Sequence, residues 1–294
     1  MSATLARPRI GLLAGGGRFP FVVAEAARRQ GAEVVCVALR DHADPEIKQA
    51  VDRIYWMGLG KLGRMIRTFH REGVTRATMA GKVHKVSLFA PFKLFRLLPD
   101  FHFIKWWFSR RKRDNKDDSL LLDVIAEFDR EGIRFGSALE ICPELLVKAG
   151  PHTRRRPTAS ELADVAFGWV HAKEMGRLDI GQSVMVMKKT VIAVEAIEGT
   201  DRCILRGGEL CPRGGFTVVK VAKPQQDMRF DVPTVGPTTI ASMKKAGASV
   251  LAIEADKTIF LDAELTIAAA DKAGIAILAL SEAEIESLTR KQAG

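Results

Sequence analysis

Short apolar runs alternate with predicted helices along most of the chain. In the first half, apolar runs at 9–13 and 33–38 flank a helix that we predict to begin near Pro20 and to stop at Gly31. This strand–helix–strand order predicts a βαβ unit, and its repetition indicates a parallel sheet covered by helices. The first half continues with strands predicted at 53–57, 76–79 and 133–136 and helices at 61–71 and 117–130.

The second half is also predicted to be α/β, with a different internal order. Between residues 143 and 157 the alternation of strands and helices stops, and prolines and glycines surround a triplet of arginines at 154–156. This indicates an interdomain connection. We therefore predict one domain over 1–142, a linker over 143–157 and a second domain over 158–294. Its predicted helices are 160–175, 238–246, 263–273 and 282–290, and its predicted strands are 183–187, 190–194, 216–221, 250–253 and 275–279.

Charge and cysteine content narrow the function classes. The 294 residues carry 45 Lys and Arg against 35 Asp and Glu, a net charge of +10, which favours an anionic partner such as nucleic acid, a phosphorylated small molecule or an acidic membrane surface. Four scattered cysteines without a CxxC pair argue against a disulfide framework or a zinc ribbon and favour the cytoplasm. The sequence shows no secretory signal and no run of about 18–20 apolar residues that would span a bilayer.

Residues 85–113 combine basic and aromatic side chains. They hold eight Lys or Arg against one acid, Asp100, and eight of the chain's 20 aromatic residues. This composition is typical of a segment that meets a lipid surface, and it also resembles a stacking platform for single-stranded nucleic acid. The alternative is a buried hairpin or helix with a solvated basic rim. Pro91 and Pro99 argue against one long helix.

A glycine turn links the first predicted strand to the first predicted helix. Gly15, Gly16 and Gly17 precede the helix, so their backbone N–H groups could face a phosphate with the help of the helix dipole. The turn is not a P-loop, because no Gly-Lys-Ser/Thr follows, and Pro20 stands where a dinucleotide fingerprint needs its third glycine. The alternative is a tight turn that binds no ligand.

Polar residues collect at predicted strand ends in the second half. Hard cations such as Mg²⁺ prefer carboxylate oxygens together with substrate phosphates, while Lys and Arg neutralise the remaining phosphate charge. Each carboxylate taken alone is best explained as a turn or cap residue. Several of them at strand ends of one half of the chain favour a functional site over that explanation. No HExxH or HxH spacing and no GxSxG motif offers another chemistry. The strand-end residues are Asp179, Gln182, Thr200, Asp201, Lys220, Lys223, Asp227, Arg229, Asp231 and Thr234.

Several motifs, in order along nearly the whole chain, resemble one family. That family is the UDP-2,3-diacylglucosamine pyrophosphatases of lipid A biosynthesis, of the alphaproteobacterial type rather than the calcineurin-like type. The resemblance implies a cytoplasmic enzyme with an N-terminal Rossmann-like domain, a C-terminal α/β domain and an active site between them. The motifs are GLLAGGGRFP (11–20), AGKV (80–83), DDSLL (117–121), DIGQ (179–182), AVEAIEGTD (193–201) and KPQQDMRFDVPTVGPTTI (223–240).

The activity that the resemblance implies is hydrolysis of UDP-2,3-diacylglucosamine to UMP and the lipid monosaccharide 2,3-diacylglucosamine 1-phosphate, with Mg²⁺ or Mn²⁺. We expect Asp227, Asp231, Lys223 and Arg229 to be catalytic, and Asp227, Asp231 and Asp179 to bind the metal. The expected substrate-binding residues are Gly15, Gly16, Gly17, Lys82, Gln182, Thr200, Asp201, Lys220 and Thr234.

The resemblance also implies partners. We expect peripheral binding to the anionic inner membrane of a Gram-negative cell and no nucleic-acid partner. A homodimer stays open. Two other classes stay open from the residues alone. One is a non-catalytic protein that binds a nucleotide or a lipid carrier, and the other is a nucleotide-cofactor oxidoreductase, for which Asp41 and Asp44 lie near the position of a ribose ligand.

Overall fold

The computed structural model describes residues 7–83, 99–109, 117–229 and 231–293. The chain forms two compact units. Unit 1 comprises Met1–Pro143 together with Asp227–Phe230, and unit 2 comprises Glu144–Gln226 together with Asp231–Gly294. No helix in the described ranges is both long enough and apolar enough to cross a bilayer.

Unit 1 contains a parallel sheet with helices packed against it, as the alternating pattern predicts. Within the described residues its strand order is β3-β2-β1-β4-β5, and every neighbouring pair is parallel. This is the order of a Rossmann-like half, with the topology reversing direction between β1 and β4. The strands are β1 Arg9–Ala14, β2 Glu33–Leu39, β3 Arg53–Met57, β4 Arg76–Ala80 and β5 Arg134–Phe135.

The helices of unit 1 share a core with this sheet. Phe69 and Phe128 are fully buried in it, beside sheet residues such as Val35 and Val37. The described helices are α1 Phe19–Arg29, α2 Leu62–Arg71, α3 Phe101–Ser109 and α4 Asp117–Arg130.

Helix α3 occupies part of the basic aromatic segment, for which a buried hairpin or helix was the alternative and one long helix was not expected. It begins just after Pro99, and the Asp100 carboxylate accepts a hydrogen bond from the Phe103 N–H at 2.8 Å. Trp106 is buried in the unit 1 core, whereas Trp107 and Phe108 are 47% and 59% exposed. The alternative of a buried element is therefore correct for Trp106 and wrong for its two neighbours. The rest of 85–113, apart from 99–109, lies outside the described residues.

Unit 2 is built on a mixed sheet with the order β6-β13-β11-β9-β7-β8. Strands β9, β11 and β13 are parallel, while β6, β7 and β8 run antiparallel to their neighbours. A short parallel pair, β10 and β12, lies outside this sheet. The strands are β6 Gly150–Pro151, β7 Ser183–Met187, β8 Thr190–Val194, β9 Thr217–Lys220, β10 Thr234–Val235, β11 Val250–Glu254, β12 Ile259–Phe260 and β13 Ala276–Leu280.

Helices cover both faces of the unit 2 sheet. Along β11, Val250 and Ala252 enter one core cluster and Leu251 and Ile253 enter the other, as expected of a central strand that is buried on both sides. The described helices are α5 Ala159–Arg177, α6 Thr200–Leu210, α7 Pro237–Ala246, α8 Ala263–Ala273 and α9 Glu282–Ala293.

Most of the segment predicted as a linker belongs to unit 2. Gly150–Pro151 pairs with β13, and the Thr153 hydroxyl accepts a hydrogen bond from the Ile277 N–H at 2.8 Å. Arg155 pairs with Glu161 at the start of α5. The prolines and glycines of this stretch therefore mark an edge strand and its turns, a local pattern that a linker shares.

Candidate functional site

The glycine turn of unit 1 lies at the carboxyl ends of β1 and β4, where the sheet order reverses. The Gly15 N–H donates to the Ala80 carbonyl at 2.8 Å, and Gly16 and Lys82 exchange two backbone hydrogen bonds at 2.9 Å. A Cβ at residue 15 would lie 2.8 Å from the Lys82 carbonyl oxygen, so this close approach requires glycine. The structure thus brings the Lys82 backbone to the turn, and substrate binding by Lys82 stays a prediction. The N–H groups of Gly15 and Gly16 are already bonded, which leaves the third glycine of the turn and the start of α1 for an anion.

A buried lysine organises the polar cluster of unit 2. Lys220 ends β9 and is 5% exposed. Its Nζ donates to the Thr200 hydroxyl at 2.9 Å and to the Thr234 carbonyl at 3.0 Å. Three predicted substrate-binding residues therefore meet at one point. In sequence, Thr200 lies 20 positions before Lys220 and Thr234 lies 14 positions after it.

Glu195 completes this cluster and was not among the predicted site residues. The Thr200 hydroxyl donates to Glu195 Oε1 at 2.9 Å, and the carboxylate is 7% exposed. Its other oxygen, Oε2, is buried and has no hydrogen-bond partner among the described residues, and the same is true of Asp201 Oδ1. Buried carboxylate oxygens without a partner are costly, so these two atoms are candidates for a ligand. The only sequence signal for Glu195 was its position at the end of a predicted strand, within the AVEAIEGTD motif.

Two glycines shape the backbone around Glu195. A Cβ at residue 181 would overlap the carbonyl oxygen of Glu195, so Gly181 allows β7 to start directly beside the end of β8. Gly199 has a φ of +82° and precedes the first residue of α6. This left-handed conformation lets the chain turn from β8 into the helix, which places Thr200 and Asp201 in the first helical turn.

Lys223 forms a second charged group in unit 2. Its Nζ lies 2.6 Å from Asp179 Oδ1 and 3.6 Å from Asp231 Oδ2, and its side chain is 14% exposed. The Lys223 backbone N–H donates to Gln226 Oε1. The Nε2 of the same glutamine lies 3.5 Å from Gln182 Oε1. The structure therefore brings together Asp179, Lys223 and Asp231, three of the ten residues predicted at strand ends.

Asp227 and Arg229 belong to the short segment that lies with unit 1. The Arg229 guanidinium donates to both Asp227 oxygens, at 2.6 to 3.1 Å, and the Arg229 N–H donates to Oδ1 at 2.9 Å. These bonds from Arg229 lower the pKa of Asp227 below its usual value, because they stabilise the carboxylate. Asp227 is therefore ionised at neutral pH and is suited to charge stabilisation rather than to acting as a general acid.

A buried charge group fixes the start of the loop that carries Lys223. Glu254 ends β11, and its Oε2 accepts hydrogen bonds from the Ala222 N–H at 2.9 Å and from Lys173 Nζ at 2.6 Å. Lys257 donates to the other oxygen at 2.9 Å. Burial opposes the ionisation of Glu254, but the bonds from the two lysines outweigh it and hold the pKa below its usual value. Sequence reasoning missed this residue, because a single Glu at a strand end carries no local signal.

The donor chemistry of unit 2 fits a hard divalent cation held by few protein ligands. In the described ranges, no three His, Cys, Asp or Glu residues are grouped as a metal site. Asp179 and Asp231 already face Lys223, whereas Glu195 Oε2 and Asp201 Oδ1 lack partners in the part of the chain that the structure describes. Mg²⁺ commonly takes one or two carboxylates and completes its shell with water and substrate phosphates, and each of the two unpartnered oxygens is of the type that it prefers.

The comparisons with known proteins cover both units. A family model described as the LpxI N-terminal domain matches residues 9–145, and one described as the LpxI C-terminal domain matches residues 148–278. A curated relative from Caulobacter vibrioides, UDP-2,3-diacylglucosamine pyrophosphatase LpxI, is 32% identical over 284 residues, which span 94% of this chain and 99% of the relative. The solved structure of CobK precorrin-6A reductase aligns over 97% of this chain and 96% of its own, at 13% identity and a TM-score of 0.33, which is too low to support an argument. Two family models and a relative that matches from end to end thus agree with the motifs along the sequence, and the chain belongs to the LpxI family.

Proposed function

We propose that this chain hydrolyses the pyrophosphate bond of UDP-2,3-diacylglucosamine to UMP and 2,3-diacylglucosamine 1-phosphate, a step of lipid A biosynthesis. The observation that carries the proposal is the end-to-end match to the Caulobacter vibrioides relative of that name. The glycine turn with Lys82 in unit 1 and the Lys220 cluster in unit 2 are each suited to phosphate groups.

The reaction needs charge stabilisation more than covalent chemistry. Water attacks one phosphorus, the bond from that phosphorus to the bridging oxygen breaks, and the bridging oxygen leaves with the other phosphate. Negative charge builds on the phosphoryl and leaving oxygens, so fixed cations supply most of the help that the protein can give. Lys220 is held by Thr200 and the Thr234 carbonyl, and Arg229 is held by Asp227, so neither cation has to reorganise during the reaction.

We further propose that Glu195 and Asp201 hold Mg²⁺ or Mn²⁺. When bound, the ion would neutralise phosphate charge and orient a phosphate oxygen. Glu195 is kept in place by the hydrogen bond from Thr200, and Asp201 by its position in the first turn of α6. Asp179, Asp227 and Asp231 stay predicted metal ligands, and each would have to exchange a cation of the chain for the metal.

The lipid end of the substrate favours a location at a membrane, and α3 offers a surface for it. Four large apolar side chains of this helix are exposed, with Phe101 at 82%. Aromatic residues next to cations are typical of proteins that bind an anionic lipid surface. We propose that α3 contributes to peripheral binding at the inner membrane. The other three exposed side chains are Ile104, Trp107 and Phe108.

The proposed reaction is tested with UDP-2,3-diacylglucosamine dispersed in detergent, with Mg²⁺ and with EDTA. We expect UMP and the lipid phosphate to appear in equal amounts, and we expect EDTA to suppress both. Release of UDP, or no turnover under any divalent cation, would contradict the proposal.

Asp227→Asn tests the site in the same assay. The variant removes the charge that holds Arg229, so we expect kcat to fall by at least ~100-fold, which is the usual effect of losing a charge-stabilising group. Asp256→Asn is the matched control, since Asp256 forms a surface pair with Lys148 and its side chain is 60% exposed. If Asp227→Asn folds normally and keeps more than about a tenth of the wild-type rate, the assignment of this residue is wrong.

A further inference from the structure

A groove in unit 1 is lined by three arginines of one helix face. It has a volume of about 550 Å³ and lies between the edge strand β3 and α2. Arg64, Arg67 and Arg71 are spaced i, i+3 and i+7, so they follow one side of α2. We call this groove the arginine slot, and its lining residues are Tyr55, Met57, Arg64, Arg67, Thr68 and Arg71.

The positive charge of the arginine slot is largely uncompensated within the described residues. There, no carboxylate lies within 4 Å of the Arg64 or Arg67 guanidinium. Arg71 lies 3.8 Å from Glu72, but Glu72 already binds Arg53 and the Tyr55 hydroxyl. The Arg71 guanidinium also stacks over the Tyr55 ring, 5.4 Å from its centroid. Three neighbouring guanidinium groups repel each other, and an anion in the groove would relieve that repulsion.

The arginine slot adjoins the exposed apolar side of α3. The Arg64 N–H donates to Asp100 Oδ2 at 2.9 Å, and Asp100 precedes the first residue of α3. A Cβ at Gly63 would lie against the His102 side chain, so the two helices touch at the start of α2. Phe101 and Trp107 on α3 are 82% and 47% exposed. The three arginines therefore lie on a helix that touches α3, and α3 carries exposed aromatic side chains.

We propose that the arginine slot binds the phosphate of a membrane lipid headgroup while the exposed side of α3 enters the lipid interface. Guanidinium groups bind phosphate through paired N–H donors, and aromatic side chains prefer the headgroup level of a bilayer. The proposal rests on the peripheral membrane binding proposed above, and it adds a phosphate-selective site to a general attraction between charges.

The experiment measures binding to phosphatidylcholine vesicles that contain either phosphatidylglycerol or oleate, adjusted to the same surface potential. The slot variant is Arg64→Gln with Arg67→Gln, and the matched control is Arg154→Gln with Arg290→Gln, two exposed arginines of unit 2. We expect the slot variant to lose about 20-fold in affinity for phosphatidylglycerol vesicles, as two surface contacts would supply, and the control to lose less than about threefold. A third variant, Arg64→Lys with Arg67→Lys, keeps the charge, so we expect it to bind oleate vesicles normally and to lose the preference for phosphatidylglycerol.

Several outcomes separate a headgroup site from its alternatives. Equal losses for the slot variant and the control, or equal binding of wild type to both vesicle types, would overturn the site and leave a diffuse basic surface. Binding of inorganic phosphate that the slot variant loses, together with equal binding of wild type and slot variant to phosphatidylglycerol vesicles, would show that free phosphate rather than lipid is the ligand. Turnover of detergent-dispersed substrate should be unchanged in the slot variant, which shows that it folds. Loss of wild-type turnover would count against the proposed reaction, while the vesicle result would stand on its own.

Discussion

At the scale of single residues, the cluster around Lys220 shows how one buried cation is stabilised. A buried ammonium and a buried carboxylate each lose their hydration, and one hydroxyl, that of Thr200, bonds to both. Glu195 Oε2 has no such partner within the described ranges. A buried polar atom without a hydrogen-bond partner destabilises the fold, so a ligand that bonds to it gains binding free energy. Glu195 is therefore a candidate ligand-binding residue.

We expect Glu195→Gln to weaken Mn²⁺ binding by about 10- to 100-fold, because the amide keeps the shape of the side chain and removes its charge. Mn²⁺ titration followed by electron paramagnetic resonance measures this without turnover. Glu264→Gln, on the exposed side of α8, is the control and should bind Mn²⁺ as the wild type does. Unchanged Mn²⁺ affinity in Glu195→Gln would remove Glu195 from the metal site, and a parallel Asp179→Asn variant then tests the ligand predicted from the sequence.

At the scale of elements, functional side chains of unit 2 depend on where strands end. Strand β9 ends at Lys220, and β11 ends at Glu254, whose carboxylate binds the Ala222 N–H. Because β9 and β11 are parallel neighbours, their carboxyl ends lie side by side, and the chain leaves β9 in a defined direction toward Lys223. Glu254 is thus a positioning residue for that loop.

We expect Glu254→Gln to lower the free energy of unfolding by about 3 kcal/mol at neutral pH, because it leaves Lys173 without its buried partner. The folded state holds the pKa of Glu254 below its usual value of 4.5, so the carboxylate stabilises the fold fully above about pH 4.5. That contribution is lost as the pH falls through the lower folded-state pKa, and the difference between wild type and variant should shrink there. Urea unfolding at several pH values measures it. Glu174→Gln, which breaks a surface pair with Arg177, should change stability by less than about 0.5 kcal/mol. A pH-independent difference would contradict the electrostatic explanation.

At the scale of the whole molecule, the net charge of +10 acts on every anionic ligand. The proposed substrate carries a pyrophosphate, so the protein's field should raise the rate of encounter at low ionic strength. Screening acts on this attraction over a Debye length of about 10 Å at 0.1 M salt.

We therefore expect kcat/KM for detergent-dispersed substrate to fall by about 10-fold as NaCl rises from low to high concentration, while kcat changes much less. Potassium acetate in place of NaCl controls for a specific effect of chloride. An equal fall in kcat and kcat/KM would show that salt acts on the catalytic step or on the fold rather than on encounter.

Local pattern determined much of the fold. Five predicted elements match the observed ones residue for residue, and the others differ by a few residues. The exact matches are the strands at 53–57, 183–187 and 190–194 and the helices at 117–130 and 263–273. Apolar runs and helix boundaries are local features, so the sequence alone could reveal the α/β class and the parallel sheet of unit 1.

Tertiary packing decided the elements that the local pattern did not reveal. Helix α6 contains Gly207 and Gly208, which weaken a helix prediction, yet a Cβ at residue 208 would lie 2.8 Å from Ala246 of α7. The glycines let the two helices pack closely, and this contact compensates for their poor helix propensity. Helix α3 shows the same principle, since Trp106 reaches the core of unit 1.

For the site, too, the sequence determined some features and the tertiary structure decided others. The sequence alone determined which residue types stand at strand ends, and so Asp179, Lys223 and Asp231 could be selected among the candidates before any contact was known. Only the tertiary structure decided that Glu195 is buried with an oxygen that has no partner among the described residues, and that Glu254 holds the loop at residue 222. The physical reason is that burial and pairing of a charge depend on strands distant in sequence, and a strand's own pattern of apolar and polar residues does not encode which side chains its neighbours will bring.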